Sequence, residues 1–470
     1  MQGALVLGCK HGKSAKDDTY FLLVEHGSGV RLMQCNADSI LEIGGCFEVE
    51  IKGANSIHVG KPLGKARKNK ILNLALGIVK ESVMKRKPYG EKDLDSMTAL
   101  MEKPLDEYVS LFLKKILLSS PIIIRFHNDA DGSSGAYGLY IAVEELLEKS
   151  YFDYKPKIFW KMHKSVSYTE MDAMEDSLTV NNHESTERPL LMLIDFGTST
   201  DSNDGINIAQ NKFDIIWLDH HPIEKGFNYG KANYLNPWLF GGDSNYTAGF
   251  LACEFSKKFS SADFSCQQSA SLCGDYSIYC KHDKCGSELA DILDLLTSYK
   301  KVAISSFDDN LTPAEIESII KDPVKKKELL SYIHSHMSDF LDSAVSSVKV
   351  YNGAVKVFLL DFGKLRDEVD SGTKYPLPGR FASKLMERIS SLNKGACILI
   401  LHFGKYISLR ASSSAGETVD MLAIARSIKE SYKGVEAAGG HSKALSIKLS
   451  DEDEKKNIIR ALLKSFGVKA

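Results

Sequence analysis

The stretch PIIIRFHNDADGSSG, residues 121–135, joins an apolar run to His127, Asp129 and Asp131 and then at once to small residues. An apolar run without polar alternation predicts a parallel strand covered on both faces. If the backbone stays extended past the run, positions 127, 129 and 131 share one face. Gly132 and the serines after it allow a helix to begin close to whatever the acids hold. Isolated acids so placed repel each other unless something positive sits between them.

Two further apolar runs end in the same way. PLLMLIDFG delivers Asp195, and FDIIWLDHHP delivers Asp219, His220 and His221. KIFW is a fourth run, and helix-like segments separate all four, which predicts an α/β fold around a parallel sheet. The carboxyl ends of parallel strands lie along one sheet edge, so these side chains converge although they are distant in sequence. Their carboxylates and imidazoles cannot all be charged and unpaired in a low-dielectric cleft, and divalent cations resolve the conflict. Mixed oxygen and nitrogen ligands favour Mn²⁺, Mg²⁺ or Zn²⁺. So many acids suit two metals sharing a carboxylate, with a bound water as nucleophile, the arrangement of phosphoryl hydrolysis.

Around this core, 470 residues imply two or three domains. A 43% hydrophobic and 26% charged composition excludes a disordered chain, and a net charge of -2 selects no partner class. The absence of a membrane-length apolar run or a signal-peptide pattern predicts a chain with no membrane partner. Nine cysteines without disulfide-scaffold spacing point to a reducing, cytoplasmic compartment. Residues 1–60 read as short strands forming a small OB-like barrel. Residues 61–120 read as a basic linker and helices: GKPLGKARKNK carries five cations and no acid, a solvated linker or a phosphate-tracking patch, and Leu94–Leu118 reads as a helix broken at Pro104. The parallel-sheet domain runs over 121–344 and includes a helical tract from about 288. VKVYNGAVKVFLLDF and GACILILHFGKYISLRAS then predict hairpins in a smaller α/β domain over 346–470. Cys273, Cys280, His282 and Cys285 offer half of a zinc site, against the plainer reading of buried packing cysteines. Arg380 reads equally as a cleft residue or a solvated loop arginine.

The order H-x-D-A-D-G, D-F-G, D-H-H-P resembles that of the DHH phosphoesterases. SLCGDYS resembles the family's next motif and supplies Asp275; YISLRAS and EAAGGHSKA resemble the arginine-bearing strand and G-G-H loop of the DHH-associated C-terminal domain. The helix running into residue 121, and SYTEMDAMEDSL at 167–178, are most similar to archaeal RecJ-like nucleases. The resemblance implies that His127 and Asp129 bind one metal, that Asp131, His220 and Asp275 bind the other, and that Asp195 bridges. Asp219 would orient an imidazole, and His221 would touch the scissile phosphate or assist the water. Arg410 would be a bidentate phosphate donor, with the Gly439 and Gly440 amides and His441 completing a phosphate site. One departure is His127, where bacterial RecJ motifs often carry an acid.

The function expected is that of a two-metal phosphodiesterase, a RecJ-like exonuclease on single-stranded DNA or RNA, with Mn²⁺ as the metal and Mg²⁺ as its alternative. A strand threading between the two larger domains needs no base-reading motif, and the N-terminal barrel could extend its track. Rival readings are a nanoRNase or cyclic-dinucleotide phosphodiesterase, an inorganic pyrophosphatase, and a replication scaffold that binds single strands or GINS-type proteins without cutting.

Overall fold

The computed structural model describes residues 1–10, 18–81, 88–149, 157–181, 183, 187–298, 311–369, 375–416, 418–441 and 443–468. The chain divides into two compact units, Met1–Leu293 with Asn310–Ser318, and Asp294–Asp309 with Ile319–Ala470.

The first unit opens with a closed barrel of β1 (Gln2–Lys10), β2 (Thr19–His26), β3 (Gly29–Ala37), β4 (Cys46–Gly53) and β5 (Ser56–Pro62), in the order β1-β2-β3-β5-β4. Its interior follows the period-2 rule: Tyr20, Leu22 and Val24 of β2 point inward beside Ala4, Val6 and Cys35. The segment read as a basic linker is instead the end of β5 and the start of α1 (Lys65–Glu81). Arg67 pairs with Glu25 at 2.7 Å and Glu48 at 3.3 Å, Lys70 with Glu25 at 3.7 Å, and Lys68 with Glu187. Those acids are remote in sequence, which is why the stretch looks unpaired when read alone. The next helix breaks at Met101, between α2 (Lys92–Leu100) and α3 (Glu102–Leu117), and not at Pro104. Pro104 lies in the first turn of α3, where its missing N–H is not needed.

The apolar runs form a five-stranded sheet of β6 (Ile122–His127), β7 (Ile158–His163), β8 (Leu190–Ile194), β9 (Asp214–Leu218) and the short β10 (Asn233–Leu235). The order is β10-β9-β8-β6-β7 and every pairing is parallel. The central strands β6, β8 and β9 are almost wholly buried, as double-sided cover requires. Helices α4 (Ala130–Lys149), α5 (Glu170–Asn181) and α6 (Asn203–Lys212) make the crossovers, followed by α7 (Ala248–Ser256), α8 (Ser265–Gly274) and α9 (Lys284–Ser298). The chain runs outward from β6 in both directions, to β7 on one side and β8 on the other. Such a reversal opens a crevice at the carboxyl ends of the two strands.

After α10 (Pro313–Ile320) and α11 (Pro323–Ser347), the second unit builds a six-stranded sheet. It comprises β11 (Lys349–Asn352), β12 (Lys356–Asp361), β13 (Cys397–Phe403), β14 (Tyr406–Ala411), β15 (Val435–His441) and β16 (Ala444–Leu449), ordered β11-β12-β13-β14-β16-β15. The two hairpins read from the NG and GK turns are β11–β12 and β13–β14. Helices α12 (Phe362–Val369), α13 (Pro378–Leu392), α14 (Ser413–Gly416), α15 (Met421–Ser431) and α16 (Lys455–Ser465) complete the unit. Among the described residues no helix is long and apolar enough to cross a membrane.

The cysteines depart from expectation. Cys266 is bonded to Cys285 and Cys273 to Cys280, while Cys9, Cys35, Cys46, Cys253 and Cys397 are buried and take part in no disulfide. Cys266 and Cys273 sit two turns apart on α8, about 10 Å along its axis. Ligand atoms of Cys273, Cys280 and His282 do come within 4.8 Å of one another, but Cys273 and Cys280 are bonded to each other and Cys285 to Cys266, so the expected quartet has no thiolate left for zinc. Two disulfides also remove the cysteine-based argument for a reducing compartment.

Candidate metal centre

His127 ends β6, and the chain turns at once into α4. Asp129 stands at the helix cap: its Oδ1 accepts the Gly132 amide at 2.9 Å, and its Oδ2 lies 2.6 Å from His127 Nδ1. A Cβ on Gly132 would lie 2.6 Å from the His127 carbonyl oxygen and 2.7 Å from its nitrogen, so only glycine lets the helix begin this close to the strand. Asp131, in the first turn, is fully buried. It accepts hydrogen bonds from the amides of Ala248 (2.9 Å) and Gly249 (2.8 Å), at the start of α7, and from Ser271 Oγ. One carboxylate thereby joins three helices.

Asp195 follows β8 with a left-handed φ of 70° and 1% exposure. Neither of its buried oxygens has a hydrogen-bond partner. His220 Nδ1 donates to the Ser244 carbonyl at 2.7 Å, which leaves Nε2 as the lone-pair nitrogen. Nε2 lies 3.3 Å from Asp195 Oδ1, 3.3 Å from Asp275 Oδ2 and 3.7 Å from Asp131 Oδ2, and it too has no hydrogen-bond partner. His127 Nδ1 is 3.6 Å from the other Asp195 oxygen. Asp195 thus stands between the two imidazoles. Lone pairs facing lone pairs at this range require a proton or a cation between them.

Asp219 is fully buried after β9. Its Oδ1 accepts the His220 amide (2.7 Å) and His221 Nδ1 (2.8 Å), and Thr198 Oγ1 donates to Oδ2. Burial alone would raise its carboxyl, yet the His221 and His220 imidazoles and Thr198 hold it down at about 2. His221 is 49% exposed, its Nδ1 committed to Asp219. Burial works against its protonation, but Asp219 wins and raises its pKa. Asn236 Nδ2 holds the His221 carbonyl at 3.0 Å, and Trp238 Nε1 and Ser244 Oγ hold that of His220 at 3.1 and 2.9 Å. Sequence reasoning misses these braces, because none belongs to a motif with its own chemistry.

The electrostatics carry the same message. Burial first, and then Asp195, pushes Asp131 well up; burial and then Asp129 raise Asp195. Burial lowers His127 and His220, but Asp129 and Asp275 respectively overcome it and raise both. By itself the protein neutralises this cluster with protons. Ligand atoms of His127, Asp129 and Asp195 lie within 4.8 Å of one another, as do those of Asp131, His220 and Asp275, and those of Asp195, Asp219, His220 and His221. The oxygen–nitrogen donor set, with the orphaned atoms of Asp195 and His220 at its centre, fits divalent cations.

Beneath His127, on the same face of β6, lies an unforeseen network. Buried Arg125 donates Nε to Asp176 Oδ2 at 2.7 Å and Nη2 to Asp176 Oδ1 and Glu175 Oε2, both at 2.9 Å. Lys161 joins Asp176 from β7 at 3.0 Å.

The remaining expected residues lie in the second unit. Arg410 of β14 is engaged by the protein: Nε donates to Ser383 Oγ, Nη1 to Ser408 Oγ and the Leu409 carbonyl, and Nη2 to the Gly379 carbonyl, at 2.9 to 3.2 Å. Gly439, Gly440 and His441 belong to β15 and not to a loop, paired with Ser446, Leu445 and Ala444. β15 is the end strand of its sheet, so alternate backbone amides point away from the ladder. The His441 side chain and Ser442 lie outside the described residues. Arg380 is buried in α13, with Nε 2.9 Å from Asp294 Oδ2, and is not a solvated loop residue.

Residues 121–272 match the DHH family, N-terminal domain. Over 158 residues the chain is 30% identical to an uncharacterized protein of Methanocaldococcus jannaschii, covering 31% of this chain and 21% of the relative. The match therefore spans about a fifth of that curated relative's length. Among solved structures, the DHH domain of a protein assigned to a family of ribosomal proteins aligns with a TM-score of 0.69 and 18% identity, covering 87% of this chain and 100% of that one. RecJ in complex with Mn²⁺ from Thermus thermophilus aligns at 0.48 and 14% identity, covering 78% and 55%. At 18% identity the first likeness is one of fold, and the second is weaker still.

Proposed function

The chain belongs to the DHH family through residues 121–272, and from that premise we propose that it is a metal-dependent phosphodiesterase, a RecJ-like exonuclease acting on single-stranded DNA or RNA. The observation that carries the reading is Asp195: a buried carboxylate without a hydrogen bond, flanked by two imidazoles and shared by two ligand groups. His127 and Asp129 would hold one ion, Asp131, His220 and Asp275 the other, with Asp195 common to both; Mn²⁺ is the preferred ion and Mg²⁺ the alternative. Bound there, the ions would polarise a phosphoryl oxygen and lower the pKa of a water.

The protein's own groups do the rest. Asp219 fixes the tautomer and direction of His221, whose Nε2 is left to contact a phosphoryl oxygen or to move a proton. The α7 amides hold Asp131 rigidly. Arg410 would offer a fixed donor fork to a phosphate, exchanging its serine hydroxyls for phosphate oxygens. The outward amide of the Gly439–Gly440 pair, with His441, would bind a second phosphate. The barrel adds a further surface suited to a polymer, and GINS-type replication proteins are a proposed additional partner.

The test is one assay with Mn²⁺ or Mg²⁺, comparing DNA and RNA single strands labelled at either end with dinucleotides, and using Asp131→Ala as the control. Ladders from one end support the exonuclease. Turnover of dinucleotides alone moves the assignment to a nanoRNase. No turnover, with strand binding retained, makes the protein a scaffold.

A further inference from the structure

We infer that the Cys273–Cys280 disulfide is the positioning element for Asp275, so that cation affinity at the centre depends on that bond being intact; this rests on the metal reading of the site.

The acids of the centre are braced in two different ways. Asp129 is held by the Gly132 amide, Asp131 by two amides and Ser271, and Asp219 by Thr198 and an amide. Polar braces of this kind aim a ligand before anything binds. Asp275 has none of them. Among the described residues its carboxylate has one partner, His220 Nε2 at 3.3 Å, which is itself a proposed ligand, and the side chain is 34% exposed. Its direction is set by the backbone alone.

That backbone is unusual. Asp275 is the cap residue at the end of α8, its amide 3.2 Å from the Ser271 carbonyl oxygen. Tyr276 follows with a left-handed φ of 53°, and His282 has one of 50°. Residues other than glycine hold this conformation only where surrounding structure imposes it. Two constraints act here: the Tyr276 and Ser277 amides bond back to the Cys273 and Leu272 carbonyls at 3.4 and 2.9 Å, and a covalent link closes the same turn. Cys273 to Cys280 closes residues 273–280 into a ring containing Asp275, and Cys266 to Cys285 pins the start of α9 to the start of α8. Ser277 Oγ and the Ile278 amide bond to Asn245 at 2.7 and 3.1 Å, which holds the tip of the ring and not Asp275.

The chemistry is ordinary exchange. A dithiol gives two electrons and two protons to the bond, Cys273 and Cys280 become thiols, and the dithiol becomes a disulfide. Without the ring the last turn of α8 can fray, and Asp275, its cap residue, moves away from His220 with it. The set of Asp131, His220 and Asp275 weakens, and that of His127, Asp129 and Asp195 does not.

Mn²⁺ binding is measured by calorimetry and by electron paramagnetic resonance on oxidised protein, on protein reduced with dithiothreitol and desalted without oxygen, and on two double variants. Reduction, or Cys273→Ser with Cys280→Ser, is expected to weaken one of two Mn²⁺ ions about tenfold and to leave the other unchanged, and reoxidation of the reduced protein restores it. Cys266→Ser with Cys285→Ser is expected to lower thermal stability while both affinities stay near those of the parent. Two ions bound at full affinity by protein shown reduced by thiol titration and folded by circular dichroism overturn the inference. If the oxidised parent takes up no Mn²⁺, the metal reading falls. The clamp is then judged by hydrogen exchange of the 274–279 amides, and an unchanged rate on reduction sinks it.

Discussion

Nε2 of His220 lies 3.3 Å from Oδ1 of Asp195, and neither atom makes a hydrogen bond. The Ser244 carbonyl has already taken the other ring nitrogen. With the ring neutral both atoms are presented as acceptors to the same point, and something positive must fill it. Metal-free protein meets that need with a proton, since Asp275 outweighs burial and raises the His220 pKa; a bound cation would take the proton's place.

Asp195→Asn should separate the two states. Asparagine keeps the shape and tolerates the left-handed backbone. Burial and Asp129 already disfavour the charged form of Asp195, so neutralising it relieves the empty centre. In excess chelator the melting temperature should rise by about 2–4 °C. In Mn²⁺ the order should invert, with affinity lowered at least about tenfold. Scanning calorimetry in the two buffers decides it, and a loss of stability in both would assign Asp195 a purely structural role.

Gly132→Ala is expected to be destructive for a steric reason. The new methyl would meet backbone atoms of His127 at 2.6 and 2.7 Å, and backbone cannot swing aside as a side chain can. Moving α4 off β6 should cost about 1–3 kcal/mol in urea unfolding. Mn²⁺ affinity should fall with it, because Asp129 and Asp131 travel with the helix.

The Arg125 network should behave as a buried ion pair. Arg125→Met leaves Asp176, which is fully buried, with Lys161 as its remaining cation, and should destabilise the protein by about 3–5 kcal/mol. Adding Asp176→Leu should recover most of that loss. A double variant no better than the single one would show that the network positions β6 by geometry and not by charge balance.

Acid should loosen α1 from the barrel. Burial would raise the Glu25 carboxyl, but Arg67 and the Gly3 amide hold it below its usual value. A depressed carboxylate contributes stability above its unfolded pKa, about 4.3, and loses that contribution as pH falls through the folded value. Glu25→Gln should therefore cost about 1.5–3 kcal/mol at neutral pH, and the gap to the parent should close in acid. Urea midpoints from pH 7 to pH 3 test this, and a gap unchanged at pH 3 would contradict it.

The apolar runs, the turn dipeptides and the strand-end acids are local signals, and the parallel sheet, the hairpins and the position of the motifs along one edge follow from them. Other features depend on partners brought from far along the chain. Arg67 looks like a free cation until Glu25 and Glu48 arrive. Arg410 looks like an open phosphate donor until α13 supplies Ser383 and Gly379. The cysteine pairing is legible only once Cys266 and Cys273 are known to share one helix that faces the start of another. Met101 in place of Pro104 as the helix break is a local misreading: a proline in a first turn starts helices as readily as it stops them.

The neighbours β6, β8 and β9 each lead, within two residues of the strand end, to a proposed ligand, and the segments joining them are long. No short peptide around a single strand would carry the centre, and fraying of any one of these strands would dismantle it. Whatever binds there rivets the middle of the sheet together: at a concentration one hundred times its dissociation constant it adds about 2.7 kcal/mol against unfolding, shared among segments that are distant in sequence.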